Sequence, residues 1–586
     1  MLDSRGMKIK EEIISAILQS LAEFTGEEVN FLVEEPQNEN FGDYSSNVAL
    51  IAAKILKQNP FELAQKLAEK INSSSVKLAS ASWRIDKVEA VKPGFINFHL
   101  SQEYLLNNLG KPQSFEKKLS GKRIMVEFTD PNPFKEFHIG HLYSNTVGES
   151  VSRLLEAVGA DLKRANYQGD VGMHVAKAMY GMKNEELIIN NLEKKDIKER
   201  IKLLGQCYAV GAKIYEEDEV KKREIEELNK KIYAKDEAIL DLYAKGRQWS
   251  LEYFETIYKR LGTKFDFYYF ESEVGNDGLE LVKKYLKKGP PATPECSDGG
   301  QGVFEKSQGA VIFPGKKENL HDRVFINSLG LPTYEAKELG LAFKKYQDFK
   351  FDQSIVVTGN EIIGYFKVLL AALNKINPEL ASKIKHLPHG MVRLPGGKMS
   401  SRSGNIITGE WLLDEAKSLL KNKYPEMTEE TLEKVAVGAV KYALLKSSLG
   451  HDIEFSFEES INIQGNSGPY LQYTFARTQS VLSKVKSQKS KVKIAIQNSK
   501  LESEELSLLR SLNKFPGVVE TAGEKFAPNI VCNYLFDLAQ KFNLFYQKHR
   551  IVGSEQENFR LTLTGGVGQV LKSGLHLLGI QAPEKM

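Results

Sequence analysis

Hydrophobic and polar positions along the chain predict a mixed α/β protein with a helical C-terminal part. Near the start, apolar residues from Ile13 to Leu21 recur at helical spacing, and a second helical pattern runs over residues 47–56. Residues 82–99 alternate in the manner of strands. These patterns predict a small unit of helices and strands over residues 8–110.

A different pattern begins at Arg123 and is typical of the opening of a doubly wound α/β domain. An apolar strand candidate over residues 124–128 is followed by the turn sequence Asp130-Pro131-Asn132-Pro133. A helix with apolar positions from Leu142 to Val158 comes next, and a second strand candidate covers residues 162–165. Strands that alternate with helices favour a parallel sheet.

The rest of the chain adds helices and a few strands to this plan. Residues 183–263 are highly charged and helical in pattern, which predicts a helical insertion. The β-branched run over residues 354–358, followed by a helical pattern, and the segment 389–394 are further strand candidates. From about Gly409 onward helical periodicity dominates.

The composition restricts the class of protein but does not indicate a function. The 586 residues are 41% hydrophobic and 27% charged, which is ordinary for a globular protein and excludes wholesale disorder. Because 80 basic and 76 acidic side chains leave a net charge of only +4, bulk charge neither indicates nor excludes a nucleic-acid partner. Cys207, Cys296 and Cys532 lie too far apart for a CxxC zinc site or a disulfide framework, which favours a reducing, intracellular setting. We expect neither a signal peptide nor a membrane span.

The sequence His138-Ile139-Gly140-His141 is the strongest chemical signal, because it stands where a helix is predicted to begin after a strand and a turn. A helix N-terminus presents free N–H groups and a positive dipole end, which suit phosphate. Gly140 lets a nucleotide approach the backbone, and the two imidazoles can donate hydrogen bonds to phosphate oxygens. The alternatives are two structural histidines or a metal pair. No further ligand cluster stands nearby, so we predict no metal site.

A second signal is the glycine-flanked cationic loop from Gly396 to Asn405, which contains Lys398-Met399-Ser400-Ser401-Arg402. Loops rich in glycine, serine and lysine are usually solvated turns. When this loop is paired with the histidine motif on an α/β scaffold, it predicts a lid that brings Lys398 onto a triphosphate.

Together these motifs resemble those of the class I aminoacyl-tRNA synthetases. His138–His141 is similar to the HIGH signature of that class, and Lys398–Arg402 is similar to its KMSKS loop, here KMSSR. Further segments resemble one family of the class, the arginyl-tRNA synthetases. These segments are residues 127–137 and 166–172 around the histidine motif, 41–47 and 93–97 near the start, and 465–473 and 583–586 near the end.

The resemblance implies three domains and a reaction. An N-terminal α+β domain over residues 1–112 would contact the D-loop of tRNA. A Rossmann-like doubly wound catalytic domain would cover 113–408, with the helical insertion at about 183–263. An all-α domain over 409–586 would contact the tRNA stem and anticodon. The implied activity is ATP-dependent formation of arginyl-adenylate from L-arginine, followed by transfer to the 3′ end of tRNA(Arg). ATP with Mg²⁺ would be a substrate, no cofactor would be permanently bound, and the enzyme would be a cytoplasmic monomer.

The resemblance also assigns site residues. Adenylate formation needs no general base, since the substrate carboxylate is already ionised, but it needs positioning and neutralisation of the leaving pyrophosphate. The residues expected to be catalytic are His138, His141, Lys135 and Lys398. The residues expected to bind ATP are His138, Gly140, His141, Gly359, Lys398, Met399, Ser400 and Ser401.

Arginine and tRNA contacts follow from the same resemblance. A selective pocket for the planar guanidinium should offer carboxylates. The residues expected to bind arginine are Asn132, which would hold its backbone groups, and Glu271, Tyr334 and Glu338, which would line the guanidinium pocket. The two carboxylates among them, Glu271 and Glu338, would meet the guanidinium. The residues expected to bind tRNA are Phe95, Asn97, Tyr470, Gln472, Tyr473, Arg477 and Met586. The tyrosines among them could stack on anticodon bases, although they also fit the core face of an amphipathic helix.

At some positions the sequence departs from the family's usual pattern. Glu338 stands where the family usually has Asp, Ile362 and Tyr365 stand where Gln and His are frequent, and Asp130 stands where Ser is common. Two alternatives to an arginyl-tRNA synthetase remain open. One is another nucleotidylyl transferase of the same superfamily, which would not need the N-terminal and C-terminal units. The other is an RNA-binding paralogue without catalysis.

Overall fold

The computed structural model describes residues 9–36, 38–73, 84–111, 114–184, 195–286, 302–394, 407–484 and 501–586. The chain forms two compact units, each made of several segments. The first unit consists of Met1–Ser114, Arg477–Pro516 and Asp537–Val570, and the second of Phe115–Ala476, Gly517–Phe536 and Leu571–Met586. None of the helices in the described ranges is long and apolar enough to span a membrane.

The first unit contains the mixed α/β part that the sequence pattern predicts for the start of the chain. Its helices are α1 (Ile9–Leu21), α2 (Val48–Leu56), α3 (Pro60–Asn72) and α4 (Gln102–Asn107). Its strands are β1 (Val33–Glu34), β2 (Tyr44–Ser46), β3 (Ile85–Val91) and β4 (Phe95–Leu100). The four strands form an antiparallel sheet in the order β1-β2-β4-β3. The predicted helix from Ile13 to Leu21 and the predicted strands near residues 82–99 are therefore confirmed.

The second unit is built on a five-stranded sheet in which every neighbouring pair is parallel. Its strands are β5 (Arg123–Glu127), β6 (Asp161–Gln168), β7 (Phe267–Phe270), β11 (Gln353–Gly359) and β12 (Ile384–His389), in the order β12-β11-β5-β6-β7. The chain moves outward from β5 in one direction through β6 and β7, and later in the other through β11 and β12. Ligands bind at the carboxyl ends of the strands at such a switch point. The predicted Rossmann-like sheet is confirmed.

Several strands were not predicted or were misplaced. The pattern did not reveal β7, a four-residue aromatic run. It also missed a three-stranded antiparallel sheet of β8 (Glu305–Ser307), β9 (Ala310–Phe313) and β10 (Arg323–Ile326). The strand predicted over residues 389–394 lies earlier, as β12, and only Val392–Arg393 form a short strand, β13, which pairs with β14 (Ile453–Glu454). Pro388 makes β12 difficult to predict from the sequence, because proline is rare within strands. The strand β12 lies at the edge of the sheet, where a proline is tolerated.

The second unit also contains most of the helices of the described ranges. They are α5 (Ile139–Ala157), α6 (Met173–Asn184), α7 (Ile197–Glu217), α8 (Glu219–Ala234), α9 (Glu237–Leu261), α10 (Glu271–Lys284), α11 (Tyr334–Asp348), α12 (Ile363–Ile376), α13 (Pro378–Ser382), α14 (Gly409–Lys423), α15 (Glu429–Leu445) and α16 (Phe457–Ser460). Residues 197–261 are helical, as their pattern predicts. α6 and α7 pack closely, because a Cβ on Gly211 would lie only 1.9 Å from the carbonyl oxygen of Lys177.

Four further helices of the described ranges each have residues in both units. They are α17 (Gly468–Ser483), α18 (Ser503–Lys525), α19 (Pro528–Lys548) and α20 (Glu557–Leu577). The segment 571–586 is held within the second unit by buried polar contacts. The Ser150 hydroxyl donates to the carbonyl of Leu577 at 3.0 Å, and the buried Lys441 ammonium donates to the carbonyls of Gly579 and Leu261 at 2.8 and 2.6 Å.

Candidate active site

A cavity of about 710 Å³ lies at the carboxyl ends of the central strands of the second unit. The last residues of β5, β11 and β12 (Glu127, Gly359 and His389) all line it. The residues of the predicted site that also line it are Asn132, His138, Gly140, His141, Glu271, Tyr334 and Glu338. The structure thus brings together, in one cavity, residues from segments more than 200 positions apart.

The two histidines cap helix α5 and orient each other. His138 is the N-cap residue, and its Nδ1 accepts from the N–H groups of Gly140 and His141 at 3.1 and 3.3 Å. In return, the N–H of His138 donates to Nδ1 of His141 at 3.3 Å, which completes a capping box. The rings stack with their centroids 3.4 Å apart. Because both Nδ1 atoms accept hydrogen bonds, each neutral ring carries its proton on Nε2.

Burial keeps these rings uncharged at neutral pH. It lowers the pKa of His138 to about 4, with a smaller contribution from the nearby charge of Lys135. The pKa of His141 falls well below its ordinary value for the same reason, and the neighbouring His138 adds to the effect. The pair therefore offers two Nε2–H donors at a helix N-terminus, and these can stabilise negative charge that develops on a phosphate.

Lys135 lies near the histidines without lining the cavity. Its ammonium lies 4.4 Å from the centroid of the Tyr208 ring. Burial, together with the charge of Lys177, lowers the pKa of Lys135 to about 8. The residues Lys398, Met399, Ser400 and Ser401 lie outside the described residues, so their predicted roles stay predictions.

A strained turn between β5 and α5 places a carboxyl group in the cavity wall. Thr129 and Asp130 both have positive φ values, 83° and 47°, which are unfavourable for residues with a side chain. Hydrogen bonds hold the turn: the N–H of Thr129 donates to the Ser144 hydroxyl at 3.0 Å, the Asn145 amide donates to the Thr129 hydroxyl at 3.0 Å, and the N–H of Tyr167 donates to Asp130 Oδ1 at 2.8 Å. Such strain, held by its surroundings, is typical of functional sites.

The cavity wall formed by the described residues contains six carboxyl groups, and three of them are already paired with cations. The pairs are Glu127 with Lys345 at 2.6 Å, Glu335 with Arg323 at 3.0 Å, and Glu271 with Lys337. Within the described ranges no cationic side chain pairs with Asp130 or Glu338, although both line the cavity. The wall therefore carries three carboxyl groups in excess of its cations: Asp130, Glu338 and Glu361. Of these, Asp130 and Glu338 are close enough for their charges to interact.

The electrostatics of these groups favour a cationic ligand. Burial, together with the nearby Glu127, raises the pKa of Glu338 to about 8 and that of Asp130 well above its ordinary value. Burial by itself would lower the pKa of Lys337, but the carboxylate of Glu271 reverses the effect and keeps the ammonium charged. Because of these raised pKa values, Asp130 and Glu338 together hold a proton at neutral pH. A cation that binds beside them would displace that proton.

Asn132 is fixed next to Glu271 by close packing at Gly169. A Cβ on Gly169 would lie 2.3 Å from Asn132 Oδ1 and 3.4 Å from Glu271 Oε1. Tyr334 is 56% exposed, and the Lys337 ammonium lies 4.6 Å from the centroid of its ring. Two of the residues that depart from the family pattern, Ile362 and Tyr365, also line the cavity.

The sequence-based assignment missed several charged residues that shape this wall, among them Glu127, Asp130, Lys337 and Lys345. The turn signal around Asp130 was visible in the sequence, but its positive φ was not. The partners of the ion pairs come from distant elements, since Lys345 and Glu127 are 218 residues apart. Only the position of Lys337 beside Glu338 could have drawn attention to it.

The predicted tRNA contacts differ in exposure. The side chains of Asn97 and Gln472 are buried: Asn97 Oδ1 accepts from the Ser45 hydroxyl at 2.7 Å, and Gln472 donates to the carbonyls of Lys434 and Gln581 at 3.0 and 2.7 Å. For these two the prediction of direct RNA contact does not agree with the structure, because a side chain bonded inside the protein has no surface for RNA. The residues that keep accessible surface are Phe95, Tyr470, Tyr473, Arg477 and Met586.

The doubly wound parallel sheet and the histidine pair at the start of α5 together define a class I aminoacyl-tRNA synthetase. In agreement, residues 102–457 match the family described as tRNA synthetases class I (R), catalytic domain. Residues 8–100 match the arginyl tRNA synthetase N terminal domain, and residues 471–586 match the DALR anticodon binding domain. The chain belongs to the arginyl-tRNA synthetase family.

Individual relatives are similar over their full length. The chain is 31% identical to the arginine–tRNA ligase of Lactobacillus johnsonii, over 99% of this chain and 100% of that protein. It is 29% identical to the arginine–tRNA ligase of Borrelia hermsii, over 100% of both chains. Its fold is similar to that of the solved arginyl-tRNA synthetase of Thermus thermophilus, with a TM-score of 0.78 and 23% identity over 99% of this chain and 100% of that one.

Proposed function

We propose that the chain is an arginine–tRNA ligase, which activates L-arginine with ATP as arginyl-adenylate and transfers the arginyl group to the 3′ end of tRNA(Arg). The observation that carries the substrate assignment is a pair of neighbouring carboxyl groups, Asp130 and Glu338, that no cation of the described ranges neutralises, in the cavity that also contains the histidine pair. A guanidinium is a planar, permanently charged fork, which two carboxyl groups can bind in a defined orientation.

The remaining residues of the wall fit the amino-acid part of the substrate. Asn132 and Glu271 meet at Gly169, and we assign them to the backbone groups of arginine. The resemblance implies a guanidinium contact for Glu271, but we propose this different role because its carboxylate is already paired with Lys337. Tyr334 stands at the rim and would cover the side chain. This arrangement leaves the guanidinium to Glu338 and Asp130.

The reaction is an in-line displacement at the α-phosphorus of ATP. A carboxylate oxygen of arginine forms the new bond, and the bond to the β-phosphate oxygen breaks, with its electron pair leaving on pyrophosphate. His138 and His141 would donate from Nε2 to phosphate oxygens as charge develops there. We assign Lys398 to the leaving phosphates. Mg²⁺ would enter with ATP; the described ranges contain no group of three His, Cys, Asp or Glu side chains placed to hold a metal ion.

We assign tRNA contacts and amino-acid activation to the three predicted domains. Residues 1–112, with Phe95 exposed at the start of β4, would contact the D-loop of tRNA. Residues 113–408 would perform activation, and residues 409–586 would bind the stem and anticodon through Tyr470, Tyr473, Arg477 and Met586. We propose a monomer that acts in the cytoplasm.

Charging of unfractionated tRNA with each of the twenty amino acids tests the function directly. We expect arginine alone to be transferred. We also expect ATP–pyrophosphate exchange to stay near background until tRNA is added, because RNA binding would close the site around Lys398. Failure to charge any amino acid would favour the non-catalytic paralogue, and exchange with a different acid would favour another nucleotidylyl transferase. Strong exchange without RNA would contradict only the coupling.

Replacing Gly169 by Ala should displace Asn132 and impair arginine use. The backbone of Gly169 is not in the left-handed region, so the effect would come from the added Cβ rather than from strain. We expect kcat/KM for arginine to fall by about 10- to 100-fold, since small misplacements of a substrate are costly, while the KM for ATP stays the same. Gly565→Ala is the matched control, because a Cβ there meets nothing within 4 Å. An unchanged kcat/KM would remove Asn132 from the arginine site.

A further inference from the structure

Asp170 is a buried carboxylate that has no role in the proposed chemistry. It stands two residues after β6, its side chain is fully buried, and among the described residues it is not one of those that line the cavity. Its Oδ1 accepts from the N–H of Ser272 at 2.9 Å. Its Oδ2 accepts from the Ser272 hydroxyl, Nε of Arg247 and the Tyr243 hydroxyl at 2.7, 2.9 and 3.1 Å. One carboxylate therefore joins three segments of the chain.

The bonds to Ser272 cap helix α10. Glu271 is the first residue of this helix, and the residue before it, Phe270, has no side-chain oxygen that could satisfy a free N–H group of the first turn. The carboxylate of Asp170 does so from outside the helix, at the end where the helix dipole favours a negative charge. Asp170 therefore holds the first turn of α10, which places Glu271 in the cavity wall.

Asp170 is also the neighbour of Gly169, against which Asn132 packs. The backbone on both sides of Gly169 is hydrogen-bonded: the N–H of Asp170 donates to the carbonyl of Gln168 at 3.1 Å, and Nε2 of His174 lies 2.8 Å from the carbonyl oxygen of Gly169. A displacement of Asp170 would therefore displace Gly169 and, with it, Asn132. Asp170 thus connects the two residues that we assign to the backbone groups of arginine.

Two of the bonds to Asp170 come from α9, in the segment that the sequence pattern indicates as a helical insertion. Tyr243 and Arg247 are four residues apart, so they lie on the same face of this helix. The guanidinium of Arg247 also lies 3.9 Å from the centroid of the Phe270 ring, immediately before α10. The insertion therefore contacts the start of α10 both directly and through Asp170.

The same face of α9 packs against the turn that contains Asn132. Gly246 and Ser250 lie on this face, three and seven residues after Tyr243. The Ser250 hydroxyl accepts from the N–H of Phe134 at 2.9 Å, and a Cβ on Gly246 would lie 2.2 Å from the Phe134 ring. Because Phe134 follows Asn132 by two residues, α9 supports the position of Asn132 as well as the start of α10.

We propose that Asp170 is a positioning residue for arginine: its carboxylate holds the first turn of α10 against α9, and this arrangement sets the positions of Glu271 and Asn132. Asp170 acts through these two residues and does not touch the substrate. This inference rests on the proposed function and deepens it, because it assigns the support of the contacts to the backbone groups of arginine. Small displacements of the groups that hold a substrate are costly, so loss of the carboxylate should weaken the use of arginine and not that of ATP.

Two variants test the proposal by steady-state charging of tRNA and thermal unfolding. Asp170→Asn keeps the shape of the side chain, but its amide nitrogen cannot accept hydrogen bonds and the charge that pairs with Arg247 is lost. Ser272→Ala removes only the hydroxyl donor and keeps the N–H bond to Asp170. We expect the arginine KM to rise by about 10- to 100-fold in Asp170→Asn and by about 3-fold or more in Ser272→Ala, with the KM for ATP unchanged in both.

Tyr442→Phe is the matched control for a loss of stability. The hydroxyl of Tyr442 is bonded to Asn466 and to the carbonyl of Cys532 in the same unit, and Tyr442 lies outside the cavity wall. Its removal should lower the temperature of unfolding without a change in the arginine KM.

Inhibition by butylguanidine separates positioning from a general change in the cavity. This compound has the side chain of arginine but neither its amino nor its carboxyl group, so we expect its inhibition constant to be the same in Asp170→Asn and the wild type. An unchanged arginine KM in Asp170→Asn would overturn the proposal, and so would an equal rise in the KM for ATP or in the inhibition constant. If Asp170→Asn does not fold, Ser272→Ala is judged by the same criteria. Wild-type charging of arginine in the same assay shows separately whether the proposed function holds.

Discussion

His138→Asn and His141→Gln are each expected to lower the rate of arginine activation by about 10²- to 10³-fold while the protein stays folded. Asn is a good N-cap residue, and Gln at the third helical position can complete a capping box, so both variants keep the hydrogen bonds that begin α5. Each removes one imidazole Nε2–H, and the flexible amide NH₂ group that replaces it is not held in the same position by a ring. Loss of a donor that acts on transition-state charge typically has an effect of this size.

The matched variants separate catalysis from stability. His138→Ala removes both the cap and the donor, so it should lower the free energy of unfolding by about 1 kcal/mol, whereas His138→Asn should not. Single-turnover activation and thermal unfolding measured on the same preparations give both quantities. Wild-type activation in His138→Asn would show that the ring serves only as a cap. Because both rings are neutral at pH 7, we also expect no loss of activity from their titration between pH 6 and pH 8.

Replacing Glu338 by Gln is expected to raise the arginine KM by at least about 30-fold with little change in the KM for ATP. Removing one partner of a buried charge pair costs about 2–5 kcal/mol, which corresponds to about 30- to several-thousand-fold in affinity. The Gln side chain keeps the shape and removes the charge. Glu338→Asp keeps the charge and restores the residue that the family usually has, so it should bind arginine much better than Glu338→Gln. Unchanged arginine use in Glu338→Gln would place Glu338 outside the substrate contacts.

Because the pKa of Glu338 is raised, we expect the arginine KM to depend on pH. With a pKa of about 8, the carboxyl group of the free enzyme holds a proton below that pH. A guanidinium binds the ionised form, so the arginine KM should rise as the pH falls below about 8, by at most about 10-fold per pH unit for one proton. The slope should be smaller in Glu338→Gln, where Asp130 alone remains to titrate. A pH-independent arginine KM in the wild type would contradict proton release on binding.

Local patterns predicted the parts of the site that depend on local structure. The histidine pair was predictable because strand, turn and helix follow one another within about twenty residues. The carboxyl-rich wall was less predictable, because its electrostatics depend on which carboxyl groups are already paired. The pairing of Glu271 with Lys337 connects two helices that are 66 residues apart in sequence, and no periodicity reveals it.

The fold shows the same division between local and long-range information. The long strands β5 and β11 were predicted because their apolar runs are buried between helices. The short strand β7 and the sheet of β8–β10 were missed, because three or four residues show no clear alternation. Similarity to a family motif indicates which residue occupies a motif position, but it does not indicate whether the side chain is exposed. This explains why the buried Asn97 and Gln472 were assigned to RNA.

The attachment of residues 571–586 to the second unit affects how the protein is made. Leu577 contacts Ser150 across 427 positions of the chain, and Ser150 belongs to the helix that begins with the histidine pair. A growing chain that has reached residue 570 still lacks the contacts that Ser150 and Lys441 make in the finished unit. Domains that are contiguous in sequence can fold as they leave the ribosome, but the second unit also needs residues 571–586. The helix that follows the histidine pair therefore gains its contact with Leu577 only after that segment has been synthesised.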